Sequence, residues 1–359
     1  MTPPHTAVQL PQLPHLSIAE LEAQLAAQGF KTSHAARLLR AFYHRGSLPD
    51  LQQLRLPAAL PKWISAHWQP QLLRTLHTAR SSDGTTKLLL QTADSRTLES
   101  VLMPDYRPDR AAACVSSQVG CAMACDFCAT TKTGFERNLT AAEIIEQFLA
   151  LRREAASQNR RLQTLVFMGM GEPLLNLDHV LEAVRRIGDN RLGGLGWRQI
   201  TVSTVGIIPG IDALTASGLS VNLAVSLHAS NDSVRSELLP TGRRFPIADI
   251  LAAADRFHAA RGRPVTVQYC LLAGVNDHPT HAEELAALLK QRRFHVNLLT
   301  YNPTGTSLRG HDYRGSTPEA AARFASILAD RGIVAHTRRS RGPDIDAACG
   351  QLRRRSMER

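Results

Sequence analysis

Apolar positions along this chain keep two rhythms in succession. Up to about residue 95 the first is mainly helical. LSIAELEAQLAAQG repeats apolar residues every three or four positions and predicts a helix beginning near Ser17. HAARLLRAFYHRG predicts a second helix, basic on one side and carrying Phe42 and Tyr43, whose rings either pack the module's core or touch RNA. KLLLQTADSRTLESVLMP then alternates and predicts a β-hairpin around ADSR. From about residue 110 short apolar runs alternate with amphipathic segments. After AAACVSSQVG, the strand-like runs are TLVFMGM (164–170), QITVST (199–204), VNLAVSL (221–227), VTVQYCLL (265–272) and HVNLLTYN (295–302). The helical segments between them include AAEIIEQFLALRREAA, LDHVLEAVRRI, IADILAAADRFHAARG and HAEELAALLKQRRF. Thr140 with Glu143 forms a capping box for the first of these, and Thr317-Pro318-Glu319 opens the last helix of the chain. Strand–helix alternation builds a parallel sheet with both faces covered. About six such units predict an α/β fold, a partial TIM-like (β/α)6 barrel. The expected division is a helical accessory domain with a short hairpin over 1–95, the barrel over 96–350 and a basic tail over 351–359.

A barrel gathers its chemistry at the C-terminal ends of its strands. Gly171 and Glu172, Ser203, Ser226 with His228, and Asn302 all fall there. The glycines of GMGEP let backbone approach a ligand, or make a tight turn; Glu172 can accept from an ammonium or hydroxyl. Hydroxyls at Ser203 and Ser226 suit a small polar molecule. His228 can stack or hydrogen-bond, and Asn302 can equally start a turn before Pro303.

The sharper signal is CAMACDFC, in which Cys121, Cys125 and Cys128 stand with the spacing C-x3-C-x2-C. Three soft thiolates on one tight loop suit three irons of a cubic iron–sulfur cluster, leaving the fourth iron open to a ligand. Structural zinc wants four closed ligands, commonly two close pairs, and no second pair follows this loop. Cys270 sits mid-strand and reads as a small buried hydrophobe. Cys114 and Cys349 have the same reading, or one of them is a fourth ligand to the cluster.

Composition narrows the class. A hydrophobic content of 43% in 359 residues allows a sizeable core, and no apolar run is long enough to span a bilayer. The opening MTPPHTAVQLPQLPH lacks the basic-then-apolar order of a secretory signal. Six cysteines in so long a chain do not make a disulfide scaffold, and a thiol-ligated cluster points to the reducing cytoplasm. The net charge of +11 favours polyanionic partners, nucleic acid first, although arginine-rich coding accounts for part of the excess. The basic knots are the stretch 31–45, Arg243-Arg244, Arg292-Arg293, and seven arginines against three acids from Arg338 onward.

CVSSQVGCAMACDFCATTKTGFERNL, followed in order by GMGEPLLN, STVGIIPGI, VSLHAS, YNP and RGPDIDAACGQL, closely resembles the RlmN/Cfr family of radical S-adenosylmethionine RNA methyltransferases. The resemblance runs from about residue 95 to 350, and the early helices resemble that family's accessory domain. It implies a [4Fe-4S] cluster on Cys121, Cys125 and Cys128, with S-adenosylmethionine bound at the open iron and at Gly171, Glu172, Ser203, Ser226, Leu227, His228 and Asn302. It implies that Cys349 carries a methyl group as an intermediate and that Cys114 resolves the resulting protein–RNA adduct, leaving a transient Cys114–Cys349 disulfide. Glu99 matches the proton acceptor. The segment PDYRPDRAAA departs from the family's spacing, so Asp105 and Asp109 stay open as alternatives. The implied product is an adenosine methylated on a ring carbon, carbon-2 favoured over carbon-8, in 23S ribosomal RNA and in some members tRNA. The implied reductant is a donor such as flavodoxin or ferredoxin. Two rivals remain: a radical enzyme acting on a non-RNA substrate, and a zinc-stabilised RNA-binding protein without catalysis.

Overall fold

Aliphatic runs pair into one sheet, and the amphipathic segments between them cover its outer face. A computed structural model of the protein describes residues 13, 16–45, 54–68 and 73–352. The basic tail expected beyond residue 352 lies outside the described residues. The strands are β1 (Arg74–Arg80), β2 (Thr86–Gln91), β3 (Thr97–Pro104), β4 (Arg110–Cys114), β5 (Gln118–Gly120), β6 (Phe135–Asn138), β7 (Arg161–Phe167), β8 (Ile200–Thr204), β9 (Asn222–Ser226), β10 (Val265–Leu271), β11 (Phe294–Thr300) and β12 (Ala335–Arg338).

Ten of them form a single sheet in the order β1-β2-β3-β4-β7-β8-β9-β10-β11-β12. The first four pair antiparallel. From β4 to β12 every pairing is parallel. Among the described residues no pairing joins β1 to β12, so the barrel is open on one side, as a partial barrel should be. The six expected parallel strands are all present, and β12 adds a seventh. The expected hairpin is β2 and β3; its strands belong to the main sheet, which runs unbroken across positions 95 and 96.

Parallel strands need covered crossovers, and helices α4 (Ala141–Ser157), α5 (Leu177–Gly188), α6 (Ile208–Ala216), α8 (Ile247–Arg261), α9 (Pro279–Leu289) and α10 (Pro318–Asp330) supply them, with the short α7 (Asp232–Leu238) between β9 and α8. Thr140 caps α4 as expected: its hydroxyl accepts from the Glu143 N–H at 3.2 Å, and Glu143 accepts from the Thr140 N–H at 2.8 Å. A cap of this kind contributes about 1 kcal/mol. The N-terminal helices are α1 (Ile18–Ala27), α2 (His34–Arg45) and α3 (Ala59–His67), with Ser17 capping α1. Phe42 and Tyr43 are fully buried, which decides for core packing over contact with RNA. Arg152 of α4 fixes the helices to the barrel by donating to the Tyr43 carbonyl at 2.8 Å and the Gly193 carbonyl at 2.9 Å. No helix among the described residues is long and apolar enough to cross a membrane.

Candidate active site

The small sheet β5–β6 brackets the cysteine loop like the base of a hairpin. Its closure depends on Gly120: φ is +75° there, and a Cβ would lie 1.8 Å from the Gly134 carbonyl oxygen, which accepts the Cys121 N–H at 3.0 Å. Thr131 Oγ1 donates to the carbonyls of Cys125 (3.1 Å) and Cys128 (2.8 Å), tightening the turn from inside. Asp126 anchors the loop from outside. Its buried carboxylate accepts from Ser307 Oγ at 2.8 Å, Tyr313 Oη at 2.7 Å and the Arg309 N–H at 3.1 Å.

Cys121, Cys125 and Cys128 are free thiols. Burial pushes Cys121 up to about 12, and burial followed by the neighbouring thiols holds Cys125 well above the ordinary range. Burial likewise raises Cys128. The sulfurs thus feel one another's charge. Three soft donors on one short loop, with no second close pair beside them, suit an iron–sulfur cluster better than four-ligand structural zinc. Arg235 supplies a buried counter-charge. It is fully enclosed, donates to the carbonyls of Val205 (2.5 Å) and Phe245 (3.2 Å), and lowers Cys125. Neither Asp126 nor Arg235 was picked out by the sequence analysis, because each depends on partners far along the chain.

Around this loop the strand ends form a shelf. Gly171, φ +98°, crosses so close to the segment after β4 that a Cβ would sit 2.5 Å from Cβ of Gln118. Gly171→Ala is therefore expected to cost about 2 kcal/mol or more, from overpacking plus a left-handed backbone, which urea unfolding of the apoprotein checks. Glu172 is buried and accepts from the N–H groups of Leu174 at 3.0 Å and Val205 at 2.9 Å. Burial nevertheless raises it to about 7. A carboxyl so placed is held uncharged more readily than an exposed one, and a cation arriving beside it, such as the ammonium of a ligand, would favour its charged form. Ser203, next to the end of β8, and Ser226, at the end of β9, have their hydroxyls 3.5 Å apart. Leu227 and His228 continue from β9, their N–H groups both donating to the Gln268 carbonyl (3.1 and 3.2 Å). His228 has a left-handed φ of +56° and packs edge-on against Phe127 of the cysteine loop at 5.0 Å. Burial, and then Arg235, lowers it to about 3, so it is neutral, with Nδ1 accepting the Cys270 N–H at 3.0 Å.

Asn302 links the shelf to the C-terminal segment, donating toward the Cys349 carbonyl at 3.5 Å. That segment bridges the open side of the barrel. After β12 it reaches the β1–β2 turn, where Asp344 accepts from Ser81 Oγ at 2.6 Å. It then crosses to the cysteine loop, where the Gly350 carbonyl accepts the Ala129 N–H at 2.7 Å and the Leu352 carbonyl accepts Thr130 Oγ1 at 2.7 Å. Cys349 between these anchors opens to solvent, yet the protein mass around it and then Cys128 push its thiol up. Cys114, at the end of β4, is pushed up to about 12 by burial and then by Cys349. Cys270 is buried, as its mid-strand position suggested, and it too feels Cys349 and Cys128. The expected Cys114–Cys349 disulfide is not formed here: both are free thiols.

Strand register places Glu99. Val101 pairs with Cys114, so Glu99, two residues along β3, shares its face one step nearer the strand end that holds Cys114. Ser100, between them, points the other way and donates to Gln147 of α4 at 2.8 Å, so Glu99 faces the barrel interior. Asp105 and Asp109 lie at the opposite end of β3 and β4, and Asp109 is exposed beside Arg110. Glu99 pairs with Lys87 of β2 at 2.9 Å, a residue the sequence analysis passed over.

The chain is similar to known proteins along nearly its whole length. Residues 115–282 match the radical SAM superfamily. "Probable dual-specificity RNA methyltransferase RlmN 1" of Opitutus terrae is 64% identical, covering 97% of this chain and 98% of its own length. A protein named "Probable dual-specificity RNA methyltransferase RlmN" from Thermosynechococcus vestitus is 44% identical over 95% of this chain and 98% of its own. The crystal structure of a radical SAM methyltransferase from Sphaerobacter thermophilus superposes with a TM-score of 0.89 at 42% identity, covering 96% of this chain and 99% of that one.

Proposed function

The chain belongs to the RlmN family of radical SAM RNA methyltransferases, whose cofactors are a [4Fe-4S] cluster and S-adenosylmethionine, and on that premise we propose that it methylates carbon-2 of an adenosine through a methylated Cys349. The substrates are 23S ribosomal RNA and tRNA, in keeping with the dual specificity that its relatives' names carry. The carrying observation is that the segment bearing Cys349 is bonded on one side to the cysteine loop, through the Gly350 carbonyl and the Ala129 N–H at 2.7 Å, and on the other, through the Asp346 carbonyl at 3.1 Å, to Lys87 on the sheet face that carries Glu99 and Cys114.

When bound, the cluster and S-adenosylmethionine supply a transferable methyl group and the one-electron chemistry that activates a C–H bond. Cys121, Cys125 and Cys128 hold the cluster; the Gly171–Glu172 turn, Ser203, Ser226, Leu227, His228 and Asn302 hold the sulfonium cofactor. Ring carbons of adenine are poor nucleophiles, so a thiolate takes the methyl first. Cys349, open to solvent on a strapped loop, is placed to carry it and to meet a splayed base. Once the methyl carbon, having given up one hydrogen atom, bridges Cys349 and the ring, Glu99 accepts the ring proton at its carboxylate, and the unpaired electron would leave to the one-electron centre that the holoenzyme supplies. Cys114, losing its own proton, attacks the sulfur of Cys349: an S–S bond forms, the S–C bond breaks, and the electron pair leaves with the product carbon, which takes up a proton. The disulfide is then reduced, as the cytoplasm allows. Burial, and then Cys349, raises the pKa of Cys114 and so keeps it a thiol, and inert, until that step. Asp105 and Asp109 are too far along the strands to serve in place of Glu99, which favours Glu99. Helices α1 to α3 act as an accessory module, and a flavodoxin- or ferredoxin-type donor supplies electrons.

Nucleoside mass spectrometry of ribosomal and transfer RNA from cells with and without the protein tests the reading. 2-Methyladenosine is expected in both pools only when the protein is present. Unchanged 2-methyladenosine in both, or 8-methyladenosine instead, overturns the assignment of carbon-2.

A further inference from the structure

Lys87 is a cation turned into the barrel. It pairs across β2 and β3 with Val101, which in turn pairs with Cys114, so Lys87, Glu99 and Cys114 share one face of the sheet. Its side chain is only 14% exposed and its Nζ meets two partners from different parts of the chain. One is Glu99 Oε1 at 2.9 Å; the other is the carbonyl of Asp346 at 3.1 Å. Asp346 stands three residues before Cys349, at a left-handed φ of +51°. A non-glycine residue keeps such a backbone only where its surroundings hold it there. The turn is set further by Gly342, at φ +58°, where a Cβ would sit 2.9 Å from Thr85 Cγ2.

We propose that Lys87 is a positioning residue for product release: one ammonium group holds the Glu99 carboxylate and the backbone of the loop carrying Cys349, so that base and thiol address the same carbon of the bound base. The inference rests on the methyl-cysteine reading of Glu99 and Cys349. An ammonium has three donors and no preferred plane, so it can serve a carboxylate and a carbonyl together. Placement matters at this step because a displacement of about 1 Å costs on the order of 10²-fold in rate.

Single-turnover reactions of the anaerobic, cluster-loaded Lys87→Met enzyme with RNA test it, with methylation of Cys349, covalent protein–RNA adduct and released RNA followed separately. Lys87→Met is expected still to methylate Cys349, to accumulate adduct, and to release product at least ~10-fold more slowly. Lys87→Arg recovers most of the release rate, whereas a merely space-filling role would be met better by methionine. Adding Lys87→Met to Glu99→Gln causes less than the additive loss, because the two side chains act in part as one unit. Release by Lys87→Met within about twofold of wild type, or a fully additive double variant, overturns the proposal. Should Lys87→Met not fold, Lys87→Gln and Lys87→Arg carry the same comparison. Wild-type enzyme that never carries methyl on Cys349 defeats the methyl-cysteine route itself; methylated wild type with an unaffected Lys87→Met defeats only the role of Lys87.

Discussion

Cys114→Ala enzyme, loaded with its cluster and turned over anaerobically with S-adenosylmethionine and RNA, is expected to end as a covalent protein–RNA adduct. Cys114 closes β4 in a buried position where it feels the charge of Cys349. Alanine there removes the sulfur proposed to break the Cys349–carbon bond, while leaving the register of β3, β4 and β7 to the backbone. Losing a buried sulfur costs on the order of 1–2 kcal/mol of stability, too little to unfold a core of this size. Product release should fall by ~10³-fold or more, the scale on which removing a covalent participant acts. The adduct is read on a denaturing gel, with the RNA mapped to the peptide containing Cys349. Wild-type turnover by Cys114→Ala would remove Cys114 from the reaction.

The second large effect is on the cluster. Anaerobically purified wild-type protein should hold about four irons and four sulfides per chain. Cys125→Ala should hold almost none and lose methylation entirely, while Cys270→Ala keeps its iron. The contrast is informative because both residues are buried in the same small apolar cluster, with Phe127, Leu238 and Tyr301. Only Cys125 sits on the loop that Gly120, Thr131 and Asp126 shape, and only its thiol feels both Cys121 and Cys128. Stoichiometric zinc in colourless wild-type protein would contradict this reading of the loop.

The elements best read from sequence were those whose signal is local. The capping pairs at Ser17 and Thr140 and the aliphatic runs of β7 to β11 announce themselves within a few residues. So did the cysteine loop, whose spacing alone separates cluster from zinc. What stayed hidden depends on distant partners. β12 is a short edge strand exposed along most of its length, so it lacks a strong apolar run. Asp126 and Arg235 look like ordinary surface charges until the fold brings Ser307, Tyr313 and Val205 to them. Cys349 could be singled out only by resemblance; the strap that carries it to the cysteine loop is made of backbone carbonyls at Gly350 and Leu352, which leave no trace in residue type. Lys87 left little trace in the sequence, standing between Thr86 and the leucine run of β2 where a strand's polar start is ordinary. Alternation placed it on the same face as Glu99 once the register was known.

The central claim is that the transferred methyl group rests on Cys349 before it reaches RNA. A single turnover with S-adenosylmethionine carrying a labelled methyl, quenched before RNA is added and analysed by peptide mass spectrometry, tests it most directly. One labelled methyl on Cys349, lost from the protein when RNA is then supplied under turnover conditions, is the predicted result. Label that appears in RNA without ever appearing on Cys349 would contradict it.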